Sequence, residues 1–318
     1  MDKNSKKVIV FGSGYMAEEY LKVLKAVAAD VRVLARNSEK AEKLAAKYGF
    51  SGFGGGTGVL TEKFCSGADL VIIAVPIEAL KDVASACLKN GIKKILIEKP
   101  GALDLVQLRE LSEEGNRAKA QILISYNRRF YNSVAMLKER IDSEGGPLGC
   151  FFDFTDREKD ILSENRSKDT LKYWGFANSS HVIDLAFYLA GPPVEMDCRR
   201  AGKWKEHPTG NAFTGSGRTK KCLFSYFSTW AGGGRWDVEI STKKGRYKLC
   251  PLEELWFCEK NQFMWKKIEP KDEDDIKFKP GLLKMVRSVL MDKGAAVLPT
   301  ILDQIEFCGV INRIFGYE

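Results

Sequence analysis

Short apolar runs alternate with amphipathic stretches over the first 126 residues of the chain. Each run has the length of a buried strand, and the runs lie at 8–12, 31–36, 69–75, 93–99 and 121–126. Between the first two runs, Met16, Tyr20, Leu24 and Val27 form one stripe at helical spacing. Strand and helix in repeated alternation predict a doubly wound parallel sheet, which is an α/β fold of the Rossmann type.

The pattern changes after residue 126. A predicted helix around 131–142 leads to the strand-like run GCFFDFTD, then to the apolar stretch VIDLAFYLA at 182–190, and then to a series of β-rich runs. Strands that cluster after few helices predict an α+β domain with a mostly antiparallel sheet. We therefore expect two domains, a Rossmann domain at 1–124 and an α+β domain at 125–318.

Composition narrows the class of protein. Hydrophobic residues make up 44% and charged residues 29% of the chain, which is enough apolar side chain for a core. No run approaches the roughly 20 apolar residues of a membrane span. The N-terminus goes straight into a strand-like run, so we expect a cytoplasmic protein that does not bind membranes. The net charge of +8 is spread along the chain, which argues against nucleic acid as a partner.

The eight cysteines form no Cys-x-x-Cys pair. Neither of the two histidines is spaced from a cysteine as the ligands of a zinc site are. We therefore expect buried reduced thiols, no disulfide and no metal.

A glycine motif, GSGYMA at 12–17, follows the first predicted strand and opens a helix. Gly12 permits the tight turn, Gly14 lets the backbone approach a pyrophosphate, and Ala17 lets the helix pack closely on the sheet. The position of this motif in the chain predicts a dinucleotide cofactor. A second cluster, GFGGGTG at 52–58, lacks the Lys-Ser/Thr of a triphosphate loop. We interpret it as a flexible connection, with a border of the adenosine pocket as the alternative.

The end of the second predicted strand indicates which dinucleotide binds. An acid at this position takes the ribose hydroxyls of NAD, whereas an arginine accommodates the 2′-phosphate of NADP. Here the strand is followed by Arg36, Asn37 and Ser38. A guanidinium and short hydrogen-bonding groups suit a phosphate dianion, so we expect NADP rather than NAD. The alternative is that Arg36 is only a solvated loop residue.

The strand at 93–99 ends in Lys99, and Pro100 follows it. Ligands of open parallel sheets bind at the carboxyl ends of the strands, so the ammonium is expected beside the cofactor. Proline holds the preceding residue extended and can take a cis bond, which fixes where the amine points. Lys99 is therefore a candidate for polarising a carbonyl or sharing its proton.

These motifs resemble, in order and over nearly the whole chain, those of the glucose-fructose oxidoreductase, inositol dehydrogenase and rhizopine-catabolism (Gfo/Idh/MocA) family of NAD(P)-dependent oxidoreductases. GSGYMA is similar to the family's cofactor loop, and IEKP at 97–100 to its catalytic lysine segment. SYNRRF at 125–130 is similar to its strand-six segment, and GFANSSHVIDLAFYLAG at 175–191 to its substrate-domain helix. The resemblance also implies a homodimer or homotetramer that forms through the aromatic outer face of the second sheet.

Together with the strand ends, the resemblance implies the residues of the site. The catalytic residues would be Lys99 and His181. Cofactor contacts are expected for Gly12, Ser13, Gly14, Tyr15, Met16, Arg36, Asn37, Ser38, Ala74, Val75, Pro76, Glu98, Lys99 and Arg128. Substrate contacts are expected for Lys99, Tyr126, Trp174, Asn178, His181 and Asp184.

The family pattern in the substrate-domain helix is Asp-x-x-x-His-x-x-Asp. His181 and Asp184 match its last two positions, but Ala177 stands where the first aspartate is usual. Asn178 can replace that carboxylate only as a hydrogen-bonding group, and either it or Ser179 is expected to cap the helix. A lone histidine is most often structural, but the resemblance puts His181 at the nicotinamide as a general acid or base.

The sequence therefore predicts an NADP-dependent enzyme that transfers hydride between nicotinamide and a secondary alcohol or ketone of a sugar, polyol or nucleotide-linked sugar. Lys99 and His181 are expected to converge on the reactive nicotinamide carbon. The charged stretch 156–175 is interpreted as a solvated loop, or alternatively as a reader of remote substrate groups. The alternative function is a catalytically silent NADP-binding sensor or partner protein on the same scaffold. It is motivated by Ala177 and by the segment after AVP, where Ile77 and Leu80 replace the Asn and His that are common in the family.

Overall fold

The computed structural model describes residues 5–162, 166–269 and 273–317. The chain divides into two compact units. The first comprises Met1–Asn127 and Asp274–Glu306, and the second comprises Arg128–Glu273 and Phe307–Glu318. The first division lies close to the predicted one at 124/125. Residues 274–306, however, belong to the first unit, although the sequence had placed everything after 124 in the second.

The first unit is built on a parallel sheet of six strands in the order β3-β2-β1-β4-β5-β6. Its strands are β1 Lys7–Phe11, β2 Asp30–Leu34, β3 Ser51–Phe53, β4 Leu70–Ile73, β5 Lys94–Glu98 and β6 Gln121–Ser125. Its helices as far as β6 are α1 Tyr15–Ala26, α2 Ser38–Tyr48, α3 Glu62–Cys65, α4 Leu80–Lys89 and α5 Leu105–Ala118. The central strands are apolar throughout because helices cover both faces of a parallel sheet. The predicted doubly wound sheet is confirmed, and β3 is the strand that the sequence reasoning did not identify.

The second unit is built on a sheet of eight strands in the order β14-β13-β12-β11-β7-β10-β9-β8. Its elements are α6 Asn132–Ser143, β7 Gly149–Asp153, α7 Glu158–Leu162, α8 Lys168–Lys172, α9 Ser180–Ala190, β8 Pro193–Ala201, β9 Ala212–Thr219, β10 Leu223–Thr229, β11 Asp237–Ser241, β12 Gly245–Leu249, β13 Leu255–Glu259 and β14 Lys266–Ile268. The β7–β10 pair is parallel and the others are antiparallel. The prediction of a mostly antiparallel α+β sheet is therefore confirmed.

One face of this second sheet carries the core of its unit. Strand β10 alternates exposed and buried residues, as expected when one face of a strand is covered. The apolar helix α9 packs against β7 and β11. Its Phe187 ring meets the rings of Phe152 and Phe224 edge-on, at centroid distances of 5.5 and 5.1 Å. Aromatic packing of this kind fixes the helix that carries His181.

The closing helices explain why residues 274–306 join the first unit. These helices are α10 Glu273–Lys277, α11 Leu282–Leu290 and α12 Ile301–Phe315. Helix α11 buries one apolar face and packs against α1. The Asn127 side-chain amide donates to the Pro280 carbonyl at 2.9 Å, and the Ile124 amide donates to the Pro299 carbonyl at 2.9 Å. The end of β6 is therefore covered by the returning chain.

The cysteine thiols differ in their exposure. Five thiols are buried, at positions 65, 87, 150, 222 and 308, whereas those at 198, 250 and 258 are partly exposed, and all eight are free. Within the described ranges, no group of three or more His, Cys, Asp or Glu side chains is arranged to hold a metal ion. Among the described residues, no helix combines the length and the apolar character needed to cross a bilayer.

Candidate functional site

The turn between β1 and α1 is built on Gly12. Its φ of 137° is one that side chains rarely adopt, and its amide donates to the Leu34 carbonyl at 2.8 Å. A Cβ at this position would lie 2.2 Å from the Ala74 carbonyl oxygen and 3.5 Å from the Ala17 Cβ. A Cβ at Gly14 would meet no atom of the described chain within 4 Å. The start of α1 therefore faces open space, where helix N–H groups favour an anion.

A pocket of about 530 Å³ lies at this turn, within the size range of small-molecule sites. Its wall consists of the predicted cofactor residues Gly12, Ser13, Gly14, Tyr15, Met16, Arg36, Ala74, Val75, Pro76, Glu98 and Lys99, together with Phe11, Ala35, Lys40, Ala79 and Val83. Three predicted cofactor residues, Asn37, Ser38 and Arg128, are not on this wall. The ends of β1, β2, β4 and β5 thus meet at one pocket, as expected for a parallel sheet.

Two basic side chains stand on the pocket wall after β2. Arg36 and Lys40 are both exposed, and neither side chain makes a hydrogen bond or ion pair with the residues that the structure describes. Lys40 was not identified from the sequence, although it lies one helical turn from Arg36. Asn37 instead caps α2, because its Oδ1 accepts from the Lys40 amide at 2.8 Å. The two cations are available to a phosphate of a bound ligand.

The second glycine cluster packs against the chain around Arg36, but none of its residues is on the pocket wall. The Gly56 amide donates to the Ala35 carbonyl at 3.0 Å, and a Cβ at Gly56 would lie 3.2 Å from the Arg36 Cγ. Ser38 packs against Gly54, where a Cβ would lie 1.7 Å from the Ser38 Oγ. The stretch 52–58 is thus an ordered support for Arg36, and the interpretation as a flexible connection was wrong.

The end of β5 places two charged residues on the pocket wall: Glu98, the last residue of the strand, and Lys99, which follows it. The Tyr20 hydroxyl donates to Glu98 Oε1 at 2.7 Å, and the Ser125 hydroxyl donates to the same oxygen at 3.2 Å. Burial raises the pKa of Glu98, and the Tyr20 hydrogen bond and the Lys99 charge oppose this rise. The Lys99–Pro100 bond is cis. The wall therefore presents a cation next to a carboxyl group that is fixed by two hydroxyls.

In the second unit, α9 carries His181 and Asp184, which are 7% and 3% exposed. Arg129 binds Asp184 in bidentate geometry, with Nε to Oδ2 at 2.9 Å and Nη2 to Oδ1 at 2.6 Å. The Arg129 guanidinium also stacks over the Tyr188 ring at 4.8 Å. Burial raises the pKa of Asp184, and the Arg129 charge opposes this rise. Both Asp184 oxygens are thus engaged inside the second unit, where the pair anchors α9.

The chain before α9 does not end in an N-cap. Residues Gly175–Ser179 form a π-helical turn that runs directly into α9. Ser179 consequently has helical angles, φ −62° and ψ −23°, and its side chain accepts no capping hydrogen bond. The predicted cap at Asn178 or Ser179 was therefore wrong, because the helical turn continues through both residues.

Asp156 follows β7 and accepts hydrogen bonds from side chains in and around this turn. The sequence reasoning did not identify it. The indole N–H groups of Trp174 and Trp236 donate to its two oxygens at 2.9 and 3.1 Å. The Asn178 amide donates to both oxygens at 3.1 and 3.2 Å, and the Ser179 hydroxyl donates at 3.4 Å. Burial raises the pKa of Asp156, and these hydrogen bonds oppose the rise. Five contacts on one carboxylate make it the centre of this region.

Ala177 stands where the family usually has an aspartate. Asp156 places a carboxylate beside the same turn, within hydrogen-bond distance of Asn178. Trp236, which donates to Asp156, has its ring centroid 6.2 Å from that of His181. Arg128, expected at the cofactor, belongs to the second unit, and its guanidinium covers the Trp236 ring at 4.8 Å. The strand-end position of Asp156 in GCFFDFTD was the signal that could have identified it.

Tyr126, expected at the substrate, lies in the first unit. Its side chain is fully buried, and its hydroxyl accepts a hydrogen bond from the Gln304 amide at 3.3 Å. The structure therefore gives this tyrosine a packing role beside the closing helices.

Comparisons with known proteins agree with this architecture. Residues 6–126 match the sequence model of the Gfo/Idh/MocA group, described as an oxidoreductase family with an NAD-binding Rossmann fold. No curated protein matches the chain. Among solved structures, UDP-N-acetylglucosamine 3-dehydrogenase from Acidithiobacillus ferrooxidans is similar at 16% identity and a TM-score of 0.76, over 97% of this chain and 96% of that one.

Two further solved structures are similar over almost the whole chain. A putative NADPH-dependent oxidoreductase from Desulfitobacterium hafniense has 17% identity and a TM-score of 0.80, over 98% of this chain and 95% of that one. A levoglucosan dehydrogenase in complex with NADH has 16% identity and a TM-score of 0.77, over 98% and 96%. At these identities the likeness establishes the fold of both units.

Proposed function

Since residues 6–126 belong to the Gfo/Idh/MocA family of oxidoreductases, we propose that this chain is an NADP-dependent dehydrogenase or reductase of a sugar, polyol or nucleotide-linked sugar. The observation that carries the proposal is that Lys99 stands on the same pocket wall as the Gly12–Met16 loop. A loop that suits a pyrophosphate and an ammonium that suits a reacting oxygen thus share one site. The names of two similar structures, a nucleotide-sugar dehydrogenase and a levoglucosan dehydrogenase, support the substrate class.

The choice of NADP over NAD rests on the pocket wall after β2. Arg36 and Lys40 both line it, and the wall holds no carboxylate at the end of that strand among the described residues. A 2′-phosphate offers charge to these cations, whereas ribose hydroxyls would leave both unpaired.

The chemistry assigned to the chain uses Lys99 and His181. A bound nicotinamide supplies or accepts the hydride. The Lys99 ammonium stabilises negative charge on the substrate oxygen, and His181 gives that oxygen a proton during reduction or removes it during oxidation. A proton and a hydride thus leave or join the same carbon–oxygen bond, which balances the interconversion of alcohol and ketone.

We also propose that subunits associate through the outer face of the second sheet. Leu223 is 70% exposed and Phe227 is 44% exposed on β10, and exposed apolar groups of this size mark contact surfaces when they cluster. Light scattering on the intact protein and on the Leu223→Glu variant tests this. A wild-type mass of one subunit, or an unchanged oligomer in the variant, would contradict it.

Absorbance of NADPH at 340 nm, followed with a panel of keto-sugars, tests the enzymatic proposal. We expect turnover by the wild-type protein and by Lys43→Met, an exposed lysine of α2 outside the pocket. Lys99→Met and His181→Asn should each lower kcat by roughly a hundredfold or more. Turnover that survives the loss of both side chains would defeat the assignment. NADPH binding without turnover on any substrate would favour the catalytically silent alternative.

A further inference from the structure

A cation from the C-terminal part of the chain lies beside the glycine loop. The segment between α10 and α11, residues 278–281, belongs to the first unit together with the rest of 274–306. It carries Lys279, whose ammonium lies over the ring of Tyr15 at 5.3 Å from the ring centroid. Tyr15 is the first residue of α1 and is on the wall of the pocket described above. Lys279 thus stands next to the helix start that suits a pyrophosphate.

Hydrogen bonds hold the segment that carries this lysine. The Pro280 carbonyl accepts from the Asn127 side-chain amide at 2.9 Å, and the Gly281 amide donates to Asp275 Oδ1 at 2.7 Å. Helix α11, which follows directly, packs against α1. The backbone at Lys279 is therefore fixed relative to the helix that the glycine loop opens.

The Lys279 ammonium is available to a ligand. Its side chain is partly exposed and makes no hydrogen bond or ion pair with the residues that the structure describes. Its contact with the Tyr15 ring is a cation–π contact, which does not neutralise the charge. Lys279 is not itself on the pocket wall, but its four-carbon stem is flexible and lets the ammonium turn from the ring towards a bound anion.

The charge of Lys279 already reaches the pocket wall. Burial raises the pKa of Glu98, and the charges of Lys99 and Lys279 are among the influences that oppose this rise. Two hydroxyls donate to Glu98 Oε1. Two cations and one acid therefore act on this side of the pocket, and the excess of positive charge favours a ligand that carries negative charge here.

The position of Tyr15 indicates which part of a dinucleotide meets this cation. Arg36 and Lys40 stand after β2, at the adenosine end of such a pocket, and Lys99 stands after β5, at the opposite end. Tyr15 belongs to the loop between these ends, where the N–H groups of α1 suit a diphosphate. The diphosphate is common to NAD and NADP and carries negative charge in both.

We propose that Lys279 is a cofactor-binding residue whose ammonium pairs with the diphosphate of the dinucleotide, and that the Tyr15 ring positions this ammonium. The inference rests on the dinucleotide-binding part of the proposed function. It depends neither on hydride transfer nor on the choice between NADP and NAD. Lys279 therefore raises the affinity for both cofactors, whereas Arg36 raises the affinity for NADP alone.

Calorimetric titration without any sugar tests the proposal. The ligands are NADPH, NADH, the 2′-phosphate of ADP-ribose, which keeps the diphosphate and lacks nicotinamide, and adenosine 2′-monophosphate, which lacks the diphosphate. Lys279→Gln should weaken the first three ligands by similar factors of about fivefold or more, as expected for the loss of one partly exposed ion pair. Adenosine 2′-monophosphate should bind as it does to the wild-type protein.

Two further variants separate the charge of Lys279 from its packing. Lys279→Arg keeps the charge and should bind both dinucleotides within about threefold of the wild-type affinity. Lys277→Gln is the matched control, because it removes an exposed lysine two residues earlier whose ammonium lies over the Phe278 ring at 5.6 Å and not over Tyr15. It should change no affinity.

Several results would overturn the proposal. They are wild-type affinity for both dinucleotides in Lys279→Gln, a loss confined to NADPH, a loss that adenosine 2′-monophosphate shares, and a loss that the nicotinamide-free ligand does not share. An equal loss in Lys277→Gln, or a loss in Lys279→Arg as large as in Lys279→Gln, would also contradict it.

These titrations are separate from the enzymatic test because they require no turnover. A protein whose Lys279→Gln variant loses affinity as expected, but which reduces no keto-sugar, contradicts only the proposed hydride transfer. A protein that reduces a keto-sugar, and whose Lys279→Gln variant binds both cofactors normally, contradicts only the inference about Lys279.

Discussion

Replacement of Arg36 by alanine should change which dinucleotide the protein prefers. The guanidinium stands on the cofactor pocket wall and has no partner among the described residues, so its removal breaks no internal ion pair. A hydrogen bond to a charged group contributes about 1.5–3 kcal/mol, and an exposed site belongs at the lower end of this range. About 1.5 kcal/mol corresponds to a roughly tenfold change in Kd. We therefore expect NADPH to bind at least about ten times more weakly, and NADH to bind as before.

Fluorescence titration with NADPH and NADH measures both affinities on the same protein. Lys40→Ala should act in the same direction, since its ammonium lies on the same wall. Lys43→Ala, an exposed lysine of the same helix outside the pocket, is the control and should change neither affinity. Added salt should reduce the NADPH preference, because both cations are exposed. Tighter binding of NADH by the wild-type protein, or equal loss of both cofactors in Arg36→Ala, would refute the reasoning.

Three further predictions concern stability and the glycine turn. Gly12→Ala should lower the free energy of unfolding by about 2 kcal/mol or more, since its φ is 137° and the new Cβ would meet a carbonyl oxygen at 2.2 Å. Gly14→Ala should leave thermal unfolding unchanged and weaken cofactor binding, and equal Tm losses in these two variants would contradict that contrast. Arg129→Met leaves the buried Asp184 carboxylate unpaired, so urea unfolding should show a loss of about 3–5 kcal/mol; a loss under 1 kcal/mol would count against the anchoring role. Burial raises the pKa of Asp237 from its ordinary 3.8 to about 6. The folded state therefore holds this proton more tightly, and the resulting stabilisation is complete below pH 3.8 and is lost as pH rises through about 6. Asp237→Asn should remove this component from a series of unfolding curves, and an unchanged pH profile would contradict it.

The first unit was predictable because its signals are local. Five of the six strands of the parallel sheet are marked by an apolar run in the sequence, and the topology brings the last residues of such strands to the edge where ligands bind. The positions of Arg36 and Lys99 on the pocket wall were therefore predictable from the sequence. Strand β3 was missed because it is three residues long and lies in a glycine-rich stretch with no apolar run. Lys40 was missed because it lies in the first turn of α2, one helical turn beyond the strand end.

The network in the second unit was not predictable from sequence spacing. Asp156 stands more than twenty residues before Asn178 in the chain, and the hydrogen bond between them depends on how β7 and α9 pack. The π-helical turn was likewise not predicted, because the local sequence favoured an N-cap at Asn178 or Ser179. Hydrogen-bonding side chains near helix starts have several competing partners, and tertiary structure decides among them.

The central claim is that Lys99 acts in hydride transfer at the pocket formed by the Gly12–Met16 loop. Single-turnover kinetics with NADPH bound in advance tests it most directly, using whichever keto-sugar the wild-type protein reduces and the Lys99→Met variant. NADPH should bind to the variant with an affinity within about threefold of wild type, and the hydride-transfer rate should fall by roughly a hundredfold or more. A Lys99→Met protein that binds NADPH normally and transfers hydride at the wild-type rate would contradict the account.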